Sequence, residues 1–396
     1  MPAVVDLILV LNGGSSSIKF AVYGPGDAPT RQLHGHLDRI GQPGTRLTFS
    51  EAADTSPTTC PATAADPVAA ASFLVDWLAR HAVFARVAAV GHRVVYGGPT
   101  HQAPELITPA LLTDLQQLTA YDPDHLPGEL ALMLALHERY PQLRQVACFD
   151  TAFHQHMPRV AQQLPLPRRF EARGLRRYGF HGLSYAYLLE ELARQAGPAA
   201  SRGKVILAHL GSGASLAAVL DGQSQDTSMG FTPAAGLVMG TRPGDLDPGV
   251  AAYLLQVEQL TAKEFNHLIN HESGLLGVSE TSADMQDLLA AQATDARAAE
   301  AVALFCYQAR KWVGAYAAVL GGLDTLVFSG GIGAHAAEVR ARICAGLAFL
   351  GLELDAAYNA THASVISSAA SRVVVRVIPT DEERLIAQLV AGYLTP

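Results

Sequence analysis

Two arginines stand in glycine-rich stretches far apart in the chain. Arg93 lies in GHRVVYGG, residues 91–98, and Arg242 in GLVMGTRPGDLDPG, residues 236–249, near Asp245 and Asp247. A guanidinium in such a loop is a fork for a planar anion. Taken singly, each is better read as half of a surface salt bridge. Asp150 closes an apolar run in CFDTAFHQHMP, where a carboxylate can hold magnesium or a water. His181 stands between glycines and aromatics in RRYGFHG, a setting in which a lone histidine is more often structural than catalytic. His154 and His156 are two residues apart, a weak metal pattern without an H-E-x-x-H context.

Three glycine turns could present backbone N–H groups to phosphate oxygens. The first, in LNGGSSSIKF, joins apolar runs at Leu7–Leu11 and Ile18–Tyr23 and leaves Lys19 at its exit. The second, in KVILAHLGSGASLAAVLDG, repeats that plan half a chain later, with strands expected at Val205–Leu210 and Leu216–Leu220. An ordinary hairpin would use the same residues only to turn. The third, in LVFSGGIGAHAAEVRARI, runs from strand through glycine turn to helix, with Ala336, Val339, Ile343 and Leu347 at helical spacing. Its GIGAHA fits the dinucleotide pattern, with Glu353 and Asp355 near the distance of a ribose-binding acid, which keeps an NAD-dependent dehydrogenase in play. A P-loop is excluded, because no G-x-x-x-x-G-K-[ST] occurs.

These residues must be positioned by alternating strands and helices. Helices are expected over Pro67–Arg80, Pro109–Leu118, Gly128–Arg139, Ser184–Gln195 and Ala298–Val319, which gives an α/β class. The repeated strand–turn–strand plan suggests two domains of similar build. The stretch Glu51–Ala65, rich in Ala, Thr, Pro and Ser, reads as a surface loop. A chain of 396 residues can bury one or two full cores. Its 28 basic against 36 acidic residues argue against nonspecific nucleic-acid binding. No apolar run reaches the length of a membrane span, and the N-terminal run carries Asp6 without a basic leader, so no signal peptide is expected. Cys60, Cys148, Cys306 and Cys344 are widely spaced, as in a reduced, cytoplasmic protein.

Taken together, the motifs resemble the acetate kinases, the acetokinase group of the actin, sugar kinase and chaperone-ATPase superfamily. The resemblance runs nearly end to end through NGGSSSIKF, GHRVVYGG, FDTAFHQHMP, RRYGFHG, HLGSGASLAAV, DTSMGFTPAAGLVMGTRPGDLDP, SGLLGVSETSADM, LVFSGGIG and IPTDEE. It implies two ribonuclease-H-like domains with a cleft between them: residues 1–150 with a C-terminal helix at 383–396, and residues 151–382. It implies a catalytic set of Arg93, Asp150, His181 and Arg242. It places Val95, Phe180 and Pro233, with Arg93, around the carboxylic substrate. Ser15, Ser17, Lys19, His209, Gly211, Ser212, Gly213, Asp284, Gly331 and Ile332 would serve the nucleotide. Asn12 and Glu382 would hold Mg²⁺ or Mn²⁺. It also implies a homodimer.

Several positions depart from the family pattern. Tyr96 stands where His is common, Asp124 replaces an apolar pocket residue, and Leu126 replaces Asn. Ser212 replaces Asn, Gln286 replaces Arg, and Ala334-His335 replaces Glu-Asn. The charged residues remain, so the expected reaction is reversible, Mg-dependent transfer of the ATP γ-phosphoryl group to acetate, giving acetyl phosphate and ADP. The alternatives are a propionate or butyrate kinase on the same fold, a non-catalytic nucleotide-binding regulator, and the dehydrogenase above.

Overall fold

A computed structural model describes residues 6–394, except 15, 25, 27, 28, 53 and 55. The chain divides into two compact units: Met1–Ala152 with Asp381–Pro396, and Phe153–Thr380. Asp381 and Glu382 therefore return to the first unit, slightly ahead of the boundary that the resemblance implies.

The first unit holds one mixed sheet, built from β1 (Leu7–Gly13), β2 (Ser17–Tyr23), β3 (Arg31–Asp38), β4 (Arg46–Glu51), β5 (Thr58–Pro61), β6 (Val87–Val94), β7 (Glu105–Leu106) and β8 (Arg144–Phe149). Their order is β5-β4-β3-β2-β1-β6-β8-β7. β1 is central, antiparallel to β2 and parallel to β6. That placement explains its unbroken apolar run, since a strand covered on both faces has no polar side to show. Leu7, Leu9 and Leu11 pack against the helices Pro67–Ala79 and Leu126–Arg139 through Leu74, Leu78, Leu132 and Leu136. The opposite face is covered by the C-terminal helix Glu382–Ala391, which lies on β1 and β6. Gly91 sets that approach: a Cβ there would lie 2.4 Å from Ile386 Cγ2 and 2.8 Å from Val390 Cγ2. Asp381 caps the helix by accepting from Arg384 N at 3.0 Å.

The stretch expected as a surface loop contains an edge strand. β5 pairs antiparallel with β4, with Thr48 opposite Thr59 and their hydroxyls 3.1 Å apart. Its β-branched threonines suit a half-exposed pleat, a signal that Ala and Pro around them obscure.

The second unit repeats the central motif. Its sheet contains β9 (Val205–Leu210), β10 (Ala214–Leu220), β11 (Gln223–Thr227), β12 (Thr325–Ser329) and β13 (Val374–Val377), in the order β11-β10-β9-β12-β13. Again the first strand is central, the next two fold back antiparallel, and the last two run parallel to it. In the first unit β3-β2-β1-β6-β8 has this same order and sense. Both are the ribonuclease-H-like arrangement of the actin-like ATPase fold. The helix Gly182–Ala196 covers one face, with Tyr185, Leu188 and Leu192 against Val205, Leu207, Ala217 and Val219. Among the described residues no helix is long and apolar enough to cross a membrane.

Candidate active site

In the first unit the register lines up a charged set on one sheet face. Val10 pairs with Gly91, so Asn12 on β1 and Arg93 on β6 follow them on the face beneath the C-terminal helix. Arg93 pairs with Cys148, and Asp150 comes two residues later, just past β8. Arg93 Nη2 donates to Asp150 Oδ2 at 2.6 Å and Nε donates to the same oxygen at 3.2 Å. Its Nη1 donates to Asn12 Oδ1 at 3.0 Å. From the helix above, Glu382 Oε2 lies 3.8 Å from Arg93 Nε.

This cluster contains more negative charge than Arg93 cancels. Burial opposes the Arg93 charge, but Asp150 and Glu382 outweigh it and raise the guanidinium pKa above its ordinary value. Burial raises the Glu382 carboxyl to about 7, with Arg93 and Lys19 pulling the other way and Asp150 and Glu383 adding to the rise. Asp150 is fully buried, and its Oδ1 has no hydrogen-bond partner among the described residues. Lys19 sits opposite Asn12 in the β1–β2 register and is exposed. Ser17 is half-buried, and its carbonyl receives Gly14 N at 2.7 Å. Ser15 lies outside the described residues.

The second unit places a different set at the matching position. His181 precedes the helix Gly182–Ala196 in a left-handed conformation, φ 58°. Its Nδ1 lies 2.8 Å from Ser215 Oγ, which also contacts Tyr185 OH. His209 pairs with Ser215 across β9 and β10, and its ring stacks on His181 with centroids 4.3 Å apart. Ser184 Oγ donates to Thr380 Oγ1 at 2.9 Å and so accepts a hydrogen bond from His209 Nδ1 at 2.8 Å. That leaves Nε2 to face the turn: a Cβ at Gly211 would lie 3.6 Å from it and 3.9 Å from Gly331 N. A Cβ at Gly213 would lie 3.4 Å from His181 Nε2 and 3.5 Å from Arg242 Nη2. Gly211, Gly213, Gly331, His181, His209 and Arg242 are therefore neighbours.

The Arg242 loop is pinned by backbone contacts. Arg242 Nη1 donates to Pro233 O at 2.8 Å, and Met239 N donates to Arg242 O at 3.0 Å. Gly274, at φ +66°, packs so closely that a Cβ would meet Met239 O at 2.2 Å. Asp245 accepts from Gly236 N and Asp247 from Gly249 N, so both acids shape the loop. Exposed Ser212 contributes its carbonyl to Gly240 N at 3.0 Å.

Other sequence candidates are placed as follows. Val95 is buried in the first unit, whereas Phe180 is buried and Pro233 half-buried in the second. Asp284 is exposed and caps the helix Met285–Ala291 through Gln286 N at 2.7 Å. Ile332 is half-buried on the short helix Gly330–His335. His154 is buried, with Nδ1 2.8 Å from Ser224 Oγ and Nε2 3.1 Å from Phe180 O, and burial pushes its pKa down to about 4. It therefore supports the peptide before His181, while His156 is exposed. The dinucleotide reading of GIGAHA fails on topology. Its strand β12 abuts an antiparallel β9–β10–β11 meander, and Asp355 is spent capping the helix Ala356–Ala360.

Glu129, Ser184, Ser215 and Thr380 are not singled out by the sequence reading, although Ser215 and Thr380 lie inside quoted motifs. Glu129 is buried, and both its oxygens accept from Val95 N, at 3.1 and 3.3 Å.

Comparisons with known proteins give the chain its relatives. An acetate kinase of Rhodopseudomonas palustris (strain TIE-1) is 45% identical over 390 residues, covering 97% of each chain. A propionate kinase of Citrobacter rodentium (strain ICC168) is 42% identical over 388 residues, covering 96% of this chain and 95% of that protein. The crystal structure of Porphyromonas gingivalis acetate kinase matches with a TM-score of 0.88 at 36% identity, covering 98% of this chain and all of that one. The family model described as the Acetokinase family matches residues 7–388. The chain belongs to the acetokinase family.

Proposed function

We propose that this chain is an ATP:carboxylate phosphotransferase that makes acetyl phosphate and ADP from acetate and ATP, reversibly. The observation that carries the reading is Arg93, a half-buried cation held by buried Asp150 at 2.6 Å with Glu382 at 3.8 Å and Asn12 at 3.0 Å. A carboxylate is already an anion, so the reaction needs no general base. One carboxylate oxygen bonds the γ-phosphorus, the bond to the bridging β–γ oxygen breaks, and ADP leaves. The barrier is the approach of two anions, so catalysis is chiefly positioning and charge stabilisation. Arg93 and Arg242 supply positive charge, and His181 donates to the phosphoryl group. Asp150 Oδ2 is committed to two N–H groups of Arg93, which suits it to orienting that arginine more than to removing a proton.

The residues also suit a hard divalent cation. Asp150 Oδ1 is a buried carboxylate oxygen without a partner among the described residues, and Asn12 and Glu382 add oxygens nearby. Among the described residues no three acidic, histidine or cysteine groups form an all-protein cage. Mg²⁺ typically takes one or two carboxylates, substrate phosphates and waters, so this sparse set fits it, and Mn²⁺ accepts similar ligands. Bound with the nucleotide, the ion would neutralise charge on the transferring phosphate.

Val95, Phe180 and Pro233 are the proposed apolar contacts of the acyl group. Acetate is preferred here over propionate because the relatives include an acetate kinase at 45% identity and a propionate kinase at 42%. We also propose a homodimer. The helix Pro248–Gln256 has no charged side chain, and Val250 and Tyr253 on it are 40% and 53% exposed. Such a face can pair with its own copy without repulsion, and Tyr253→Asp is expected to shift sedimentation toward the monomer. All four cysteines are free, as suits a cytoplasmic location.

The test traps acyl phosphate with hydroxylamine in the presence of Mg-ATP and formate, acetate, propionate or butyrate. Acetate should give the highest kcat/KM, with propionate roughly 10- to 200-fold lower. A higher value for propionate or butyrate would move the assignment to that acid. No hydroxamate with any acid would refute the carboxylate kinase reading.

A further inference from the structure

Glu129 is a buried acid on the helix Leu126–Arg139 that the reaction above does not use. That helix packs against the odd-numbered residues of β1, on the sheet face opposite the Arg93 cluster. At the end of the sheet it comes up against the hairpin turn. A Cβ on Gly13 would lie 3.5 Å from Glu129 Cγ and 3.8 Å from Glu129 Cα.

The backbone leaves the sheet at the same place. Val94 O still accepts from Asp150 N at 2.9 Å, as a continuation of the β6–β8 ladder. Val95 N is the first amide beyond that ladder, and it donates to both oxygens of Glu129. Two residues on, Gly97 N donates to Thr151 Oγ1 at 3.2 Å. Residues 95–97 are thus fixed by side-chain acceptors in place of a strand partner. An amide buried without an acceptor is costly, so the Glu129 contact decides where this peptide sits.

We propose that Glu129 is a positioning residue that fixes the Val95 peptide and, through it, the acyl-size selectivity of the carboxylate site. The inference rests on the carboxylate kinase reading and on Val95 as an acyl contact. Glu129 is placed to act through geometry more than charge. Burial raises its pKa well above the ordinary carboxyl value, with Asp122 and Asp150 adding to the rise while Arg93 and the Val95 amide oppose it. A neutral side chain with an acceptor oxygen should therefore replace it.

The test compares Glu129→Ala, Glu129→Asp and Glu129→Gln with the wild-type chain, by hydroxylamine trapping with acetate and propionate. Glu129→Ala is expected to raise KM for acetate about 10-fold, leave KM for ATP within about twofold, and shift the propionate-to-acetate kcat/KM ratio at least about fivefold toward propionate. Glu129→Asp, one methylene short of Val95 N, should change in the same direction and serves if the alanine variant does not fold. Glu129→Gln keeps an acceptor and should restore acetate KM and the ratio to within about threefold of wild type. Folded Ala or Asp variants with an unchanged ratio would overturn the proposal, and so would a Gln variant as impaired as Ala. No trapped acyl phosphate from the wild-type chain would instead refute the underlying reading, and the proposal with it.

Discussion

The two units solve the same structural problem with opposite chemistry. In each, a hairpin runs from the central strand, and the start of a helix overlies its end. In the first unit that helix brings Glu382 to a face already carrying Asn12, Arg93 and Asp150. In the second it brings His181 to a turn where Gly211, Gly213 and Gly331 leave the backbone uncovered and His209 stacks beneath. One hairpin faces an arginine with two carboxylates, the other an arginine with backbone groups and two imidazoles. The shared fold fixes where a site can be built, while the residue types at the strand ends decide which part of the chemistry it can serve.

Removing the arginine from each unit separates the two most sharply. Arg93→Ala and Arg242→Ala should each lower kcat by at least ~100-fold, the scale of losing one charge-stabilising donor. Their stability effects should differ. Without Arg93, buried Asp150 loses its cation, a loss of roughly 3–5 kcal/mol. Arg242 donates to a neutral carbonyl, Pro233 O, a bond whose loss costs about 1 kcal/mol. Thermal melts beside steady-state kinetics read both quantities. Equal destabilisation would show that Arg242, like Arg93, neutralises a buried charge.

The next test concerns the uncovered backbone. Gly213→Ala would put a methyl group 3.4 Å from His181 Nε2 and 3.5 Å from Arg242 Nη2, distances that allow folding. It should raise KM for ATP about 10-fold, the scale of one lost hydrogen bond, and change KM for acetate less. A larger effect on acetate would place this turn at the wrong substrate.

The two arginines and the turns were visible in the sequence, but their partners were not. Arg93 meets Asp150 across 57 residues and Asn12 across 81, and no local pattern announces such a pairing. The same holds for Val95 with Glu129, 34 residues apart, and for His154 with Ser224, 70 apart. β1 was legible because a central strand must be apolar on both faces. β5 was not, because an edge strand with exposed threonines has no such constraint. The ordered run of motifs brought the site residues together before any geometry did. Gly91 had no reading of its own until the C-terminal helix was seen lying on it.

Protonation in the first unit can be tested through pH. A carboxyl held near 7 in the folded chain, against about 4.5 unfolded, takes its proton more readily when folded. Its contribution to stability is full below about pH 4.5 and is lost as pH rises through 7. Glu382→Gln stays neutral. With chelator and without nucleotide, it should be more stable than wild type above pH 7, by up to about 3 kcal/mol, and equal to it near pH 4.5. A stability difference independent of pH would show that Glu382 is not held protonated in the folded chain.

Phosphorus NMR of one reaction follows the phosphoryl transfer directly. With Mg-ATP and acetate, ADP and acetyl phosphate should appear in equal amounts, ADP formation should stop when acetate is withheld, and Arg93→Ala should suppress both signals together. ADP accompanied by inorganic phosphate from the outset, at a rate indifferent to acetate, would contradict the account and make the chain an ATPase.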